Sequence, residues 1–191
     1  MRHPLIDVHT LLSAAEAAEL LDTLYTEILW NDGAFVAAGR RFQLPRLQAW
    51  FSDRGIDYRY AANLLNSHPW TPVLDGLRQR VEEITGARFN AVLANLYRDG
   101  RDSVGWHADD EDDLGPAPLI ASLSLGAVRQ FHWRPKPGQP GASGHLALAP
   151  GTLLLMRPPF QQHWEHAVPA DAGVGDMRLN LTFRLVHPVS H

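Results

Sequence analysis

Cysteine is absent from the chain. That absence excludes disulfides, thiolate nucleophiles, iron–sulfur clusters and Cys-ligated zinc together, and leaves ten histidines as the obvious metal ligands. An excess of positive charge is also missing. The 17 Lys and Arg against 21 Asp and Glu give a formal charge of -4, and the pI is near 6.2. A nonspecific nucleic-acid packager would be coated in positive charge, so any nucleic-acid contact here must come from a local basic patch. No apolar run nears the roughly 18 residues needed to span a bilayer, and the opening MRHPLIDVHT lacks the apolar centre of a signal peptide. The expectation is a cytoplasmic monomer with no membrane partner.

What is present is enough apolar material, 45% of 191 residues, to bury one sizeable core. A single domain over residues 1–191 is expected. Ser13 and Glu16 form a capping box that opens an apolar-periodic stretch through Leu20, Leu21 and Leu24. Thr71 as N-cap, Pro72 at the first helical position and Gly86 just past the end bracket a second helix. Its Val73, Leu74, Leu77, Val81 and Ile84 fall at helical spacing. From Phe89 onward the pattern changes to short strands between Gly and Pro: FNAVLANLY, LIASLSLG, VRQFHWR, HLALA, GTLLLM and RLNLTFRLV. Six such strands predict an antiparallel jelly roll or related two-sheet barrel, buttressed by the N-terminal helices, hence an α+β fold. No internal repeat is visible, and PKPGQPGAS at 135–143 reads as a loop.

Between the helices, residues 35–60 read as neither a long helix nor a regular strand. Arg40, Arg41, Arg46, Arg54 and Arg59 stand there against only Asp53 and Asp57, interleaved with Phe35, Phe42, Trp50, Phe51, Tyr58 and Tyr60. Arginines for phosphates mixed with rings for bases suit a single-strand or flipped-base surface. The alternative is a cover over the core in which arginine is merely the solvated rim.

In a strand, residues i and i+2 point to one side, so His107 and Asp109 in GWHADDE can offer an imidazole and a carboxylate to one ion. Such a pair arises easily in a chain with ten histidines, so a third ligand is required. His166 in HWEHAVP is the best candidate. His163, three residues earlier, would face the other side of any strand holding both. Two His and one carboxylate leave open coordination positions, as non-haem Fe(II) oxygenases require, whereas structural zinc sites are closed. A cosubstrate for such a centre brings carboxylates that need cations. Arg178 and Arg184 in RLNLTFR share strand parity with Asn180 and Thr182, and two inward arginines are costly without an anion. The two carboxylates of 2-oxoglutarate would satisfy both through bidentate contacts. Asn95 and Tyr97 could add donors to the same pocket, and internal salt bridges to protein acids are the alternative.

At these residues the chain resembles the AlkB family of Fe(II)/2-oxoglutarate-dependent nucleic-acid dealkylases. NAVLANLYRDGRDSVGWHADDE, PLIASLSLGAVRQF, GTLLLM and RLNLTFR match it in order across a catalytic core at about 88–186, and LPRLQAWFSDRGIDYRY and PWTPVLDGLRQRVEEITG match the stretch before that core. The resemblance implies a double-stranded β-helix with iron on His107, Asp109 and His166. It implies 2-oxoglutarate held by Asn95, Tyr97, Arg178, Asn180, Thr182 and Arg184, with Arg184 on the distal carboxylate. A nucleotide-recognition lid would occupy 35–60, with Tyr58, Arg59 and Tyr60 at the base, Tyr60 stacking on it, and Asp110 and Glu111 at its polar edge. The implied reaction uses Fe(II), 2-oxoglutarate and O₂ to demethylate N-alkylated bases such as 1-methyladenine and 3-methylcytosine, releasing succinate and formaldehyde. The expected partner is alkylated single- or double-stranded DNA, or RNA, turned out of its stack for reaction. Two rival readings stand beside it: an oxygenase acting on a protein or small molecule, and a non-catalytic cupin-like metal-binding module.

Overall fold

The computed structural model describes residues 3–32, 34–37, 40–56, 59–60, 63–64 and 67–187. Strand β1 (Ile6–Thr10) leads to helix α1 (Ala14–Glu27). The predicted capping box is formed: Ser13 Oγ accepts from the Glu16 amide at 3.2 Å, and the Glu16 carboxylate accepts from the Ser13 amide at 2.8 Å. A hairpin, β2 (Ala34–Ala37) and β3 (Arg40–Gln43), precedes β4 (Leu47–Ser52), followed by the short β5 (Arg59–Tyr60), β6 (Asn63–Leu64) and β7 (Ser67–His68). Helix α2 (Pro72–Thr85) starts on Thr71, whose hydroxyl accepts from the Leu74 amide. It stops at Gly86, which takes the left-handed φ of 66° that a side chain would resist.

The barrel proper follows, with β8 (Ala91–Tyr97), β9 (Val104–His107), β10 (Ile120–Gly126), β11 (Arg129–Pro135), β12 (Gly144–Leu148) and β13 (Thr152–Met156). A one-turn helix α3 (Phe160–His163) then leads into β14 (Trp164–Val168) and β15 (Arg178–Arg184). The strands form two facing sheets. The larger runs β1-β13-β10-β15-β8-β4-β7 and the smaller β12-β11-β14-β9. This is the expected jelly roll.

Strand parity divides the larger sheet into two faces. Val92, Ala94 and Leu96 on β8, Leu123 on β10 and Leu179, Leu181 and Phe183 on β15 pack outward against Leu24 of α1 and Leu74, Leu77 and Val81 of α2. That contact is the buttress the helical periodicity predicts, except that Ile84 lies 42% exposed beyond its reach. The other parity class faces the small sheet. There Leu93, Ile120, Leu154 and Met156 meet Phe131 and Trp133 in a second apolar cluster. Because both faces of these strands are covered, they read as continuous apolar runs rather than alternating ones. A polar side chain at such a position therefore has no water to face.

Several strands were not evident from the sequence, and β4 corrects the reading of 35–60 most. It pairs with β8 over six residues, from Leu47↔Leu96 to Ser52↔Ala91, as an interior strand of the large sheet. Trp50 and Phe51 are core residues at 1% and 4% exposure, and Arg46 is buried. These three are not surface groups awaiting a nucleic acid. Arg40 and Arg54 are exposed. Tyr58 lies outside the described residues, and Arg59 and Tyr60 are described as backbone only.

Candidate active site

His107 is the last residue of β9, and it stands directly opposite His166 of β14 in the small sheet. Asp109 lies two residues past the end of β9. The expected pair therefore meets, but not by sharing a strand: the chain leaves the sheet after His107 and turns the Asp109 carboxylate back. Ligand atoms of His107, Asp109 and His166 all fall within 4.8 Å of one another. The two imidazole centroids are 4.2 Å apart, and His166 Nε2 is 3.8 Å from Asp109 Oδ2. His163 ends α3 instead of sharing a strand with His166, and it does not join this cluster.

The protonation states suit a cation. His107 Nδ1 is 2.9 Å from the Gly105 carbonyl, a bond that puts the proton on Nδ1 and leaves the Nε2 lone pair free. Burial, then the neighbouring His107, push the His166 pKa down to about 3 against the pull of Asp109, so its ring is neutral at physiological pH. Burial alone would raise the Asp109 pKa, but Arg184, His166 and His107 outweigh it and hold the carboxylate at about 2. Two imidazoles and one carboxylate on one side of a site are the donor set of non-haem Fe(II) oxygenases.

A model of the 2OG-Fe(II) oxygenase superfamily matches residues 5–184. The chain is 41% identical over 182 residues to alpha-ketoglutarate-dependent dioxygenase alkB homolog 3 of Homo sapiens, covering 91% of this chain and 63% of that protein. It is 40% identical over 191 residues to DNA oxidative demethylase ALKBH2 of Mus musculus, covering 95% of this chain and 80% of that protein. The chain belongs to the AlkB family of 2OG-Fe(II) oxygenases. It thus spans under two thirds of the first of these relatives. Two solved structures share the fold: OsALKBH1, with a TM-score of 0.59 at 18% identity over 96% of this chain and 99% of that one, and a 2OG-Fe(II) family oxidoreductase from Burkholderia pseudomallei. The latter has a TM-score of 0.57 at 17% identity over 94% and 84%. Membership of this family implies Fe(II) as the metal, with 2-oxoglutarate and O₂ as cosubstrates.

Behind the three ligands the AlkB-type barrel holds a pocket lined among others by Asn95, Tyr97, Ser122, Arg178, Asn180, Thr182 and Arg184. Every predicted cosubstrate residue is in that lining. Their roles divide sharply. Arg184 Nη2 is 2.6 Å from Asp109 Oδ1, with both side chains almost fully buried. The sequence reading put Arg184 at the distal carboxylate. The ion pair places it at the iron end instead, where its charge is already balanced by a ligand.

Arg178 occupies the opposite end. It is 1% exposed, donates from Nη2 to Ser124 Oγ at 2.9 Å, and lies 5.1 Å from the centre of the Tyr97 ring. Among the described residues its Nε and Nη1 complete no hydrogen bond and no carboxylate pairs with it, Tyr97 being the neighbour that favours its charge. Burial lowers its pKa, with Tyr97 pulling the other way and Arg129 adding to the fall. A buried guanidinium in this state is costly unless an anion completes it. The cavity is therefore built to receive a carboxylate at this end, and the chain's own residues fit 2-oxoglutarate.

Supporting residues had a partial signature in the sequence. Asn95 Oδ1 accepts from both Arg46 Nε and Gln48 Nε2 at 2.9 Å, so its Nδ2 is what remains for the cavity. Asn180 donates to Ser122 Oγ at 2.7 Å and accepts from Thr182 Oγ1 at 2.8 Å, forming a closed polar chain along the wall. Ser122 and Ser124, two apart in LIASLSLG, share the parity that faces the cavity. Hydroxyls at alternate positions of an otherwise apolar strand could have disclosed them. At the mouth, Asp110 is exposed and bonded to Lys136 Nζ at 2.7 Å, and Glu111 begins the 3-10 turn Asp112–Leu114.

Proposed function

We propose that this AlkB-family protein removes alkyl groups from N-alkylated bases in nucleic acid by oxidative demethylation. The observation that carries the reading is the pairing, in one buried cavity, of a two-histidine, one-carboxylate cluster with a guanidinium, Arg178, that lacks an anion. Similarity to proteins named as a DNA oxidative demethylase and an alpha-ketoglutarate-dependent dioxygenase supplies the substrate class.

Bound iron, with 2-oxoglutarate and O₂, would supply the oxidising power: one oxygen atom would go to succinate as 2-oxoglutarate loses CO₂, and the other to the N-alkyl carbon, so that a hydroxylated methyl group leaves as formaldehyde. The protein supplies position and charge. His107, Asp109 and His166 would hold the ion on one side. Arg178, backed by Ser124, would take the distal carboxylate of the cosubstrate and so fix its length along the cavity. Asn95 Nδ2 and Tyr97 would orient it from the side, while Asn180 and Thr182 hold the wall. Arg184 keeps Asp109 ionised and its carboxylate turned toward the ion. The resemblance supports Tyr60 as the ring that stacks on the flipped base, with Tyr58 and Arg59 as further base contacts and Asp110 and Glu111 toward its polar edge. A base already unpaired or damaged costs least to extrude.

The test is mass spectrometry of 1-methyladenine and 3-methylcytosine oligonucleotides, single-stranded and duplex, after incubation with Fe(II), 2-oxoglutarate and the protein. Loss of the methyl group with matching succinate and formaldehyde is expected. Succinate formation with every methylated oligonucleotide left intact would move the substrate outside nucleic acids, and no succinate under any condition would favour a binding module.

A further inference from the structure

The ladder that fixes His107 does not reach Asp109, because β9 ends at His107 and its pairing with β14 stops there. Asp109 is nevertheless 1% exposed, so its main-chain N–H requires an acceptor that no strand provides. The acceptor is a side chain 52 residues away: Gln161 Oε1, at 3.0 Å.

Gln161 stands in α3, between β13 and β14, and is itself 1% exposed. The other end of its amide is poorly served, since among the described residues Nε2 reaches only the thioether of Met156 at 3.3 Å. Thioether sulfur is a weak acceptor. A buried amide with a half-satisfied donor end is a net cost, and Met or Leu would fill the same volume without it. What neither can provide is an oxygen beneath the Asp109 amide. Asp109 is thus pinned from two sides, its carboxylate by Arg184 and its backbone by Gln161. The same short segment carries His166 five residues later, so one connection orients two ligands.

We propose that Gln161 is a positioning residue of the iron centre, fixing the main chain of Asp109 and through it the angle at which the carboxylate meets the metal. The inference rests on His107, Asp109 and His166 being the iron site. The experiment separates the two by measuring metal binding without turnover, titrating the metal-free full chain with Ni(II) or Co(II) by calorimetry and recording its melting temperature. Wild type should bind one ion per chain, and failure to bind would overturn both readings. Gln161→Met should bind about 10- to 100-fold more weakly, the usual cost of losing an outer partner of a ligand, with the metal-free melting temperature retained or raised. Gln161→Glu, which keeps an oxygen acceptor in place, should remain close to wild type. Wild-type affinity in Gln161→Met would overturn the proposal, and so would Gln161→Glu binding as weakly as Gln161→Met. If Gln161→Met does not fold, Gln161→Asn decides, because its shorter chain withdraws the oxygen while keeping the amide. Weakened metal binding is then expected, and wild-type affinity would overturn the proposal.

Discussion

The two ends of one strand carry the same residue in opposite states. At the C-terminal end of β15, Arg184 is paired with Asp109 at 2.6 Å, and at its N-terminal end Arg178 has a serine hydroxyl, a tyrosine ring and no acid. Both are buried to the same degree. A buried charge that is balanced within the chain costs the fold little so long as its partner stays, whereas one that is left unbalanced weakens the fold and is available to a ligand. The arginine charge at the iron end is therefore balanced within the chain, and the one at the far end is left for an anion to balance.

The largest expected effect lies at the ligands themselves. Ala at His107, Asp109 or His166 should abolish succinate formation, while His163→Ala should leave substantial turnover, because His163 stands outside the cluster. An active His166→Ala protein would break the assignment of the iron end. Next comes Arg184→Ala, which strands the Asp109 carboxylate in the interior. Breaking a buried pair in this way costs about 3–5 kcal/mol, so the metal-free protein should melt at a clearly lower temperature and also lose metal affinity. An unchanged melting temperature would mean that Asp109 finds another partner.

Arg178→Met should behave in the reverse sense. Removing an uncompensated buried cation should leave the metal-free melting temperature unchanged or raise it. The loss should fall on the cosubstrate: about 2.8 kcal/mol, or roughly 100-fold in the KM for 2-oxoglutarate, with oligonucleotide affinity little altered. Arg178→Lys should recover little of it, since a point charge cannot reproduce the planar fork. If Arg178→Met destabilised the fold as much as Arg184→Ala, the contrast between the two ends would collapse.

Much of this pocket was legible in the sequence, for a physical reason. Strand parity is strict, so the R-x-N-x-T-F-R spacing places four polar side chains on one face, and the structure finds all four there. Parity succeeded less well at His107 and Asp109, which do meet, though not for the reason that parity gave. A strand end cannot be located to two residues by pattern, and the turn beyond β9 is held by Gln161 from a distant segment. Composition misled at Arg46, Trp50 and Phe51. An arginine beside aromatic rings has the same composition whether it faces water or an asparagine in a cavity, and only the pairing of β4 with β8 decides between them. The resemblance set Arg184 on the distal carboxylate, and parity offered no check, because facing the same way says nothing about which of the two arginines meets an acid.

The smallest effect concerns the mouth, where the balance of charge no longer decides. The proposed function has Tyr60 stacking on the extruded base, against the ring of His107. Base–aromatic stacking is worth about 1–3 kcal/mol by alanine substitution, or roughly 5- to 150-fold in kcat/KM. Tyr60→Ala should therefore lose that much on a methylated oligonucleotide, and Tyr60→Phe should lose little, because the ring and not the hydroxyl makes the contact. A residue serving the core would respond differently: truncating a buried aromatic removes about 3–5 kcal/mol of stability, and every activity would fall with the fold. Melting temperature, uncoupled 2-oxoglutarate turnover and demethylation measured on the same variant separate the two. A retained melting temperature and uncoupled turnover with reduced demethylation places Tyr60 at the base, outside the charge economy of the barrel. Undiminished demethylation by Tyr60→Ala would remove it from the site.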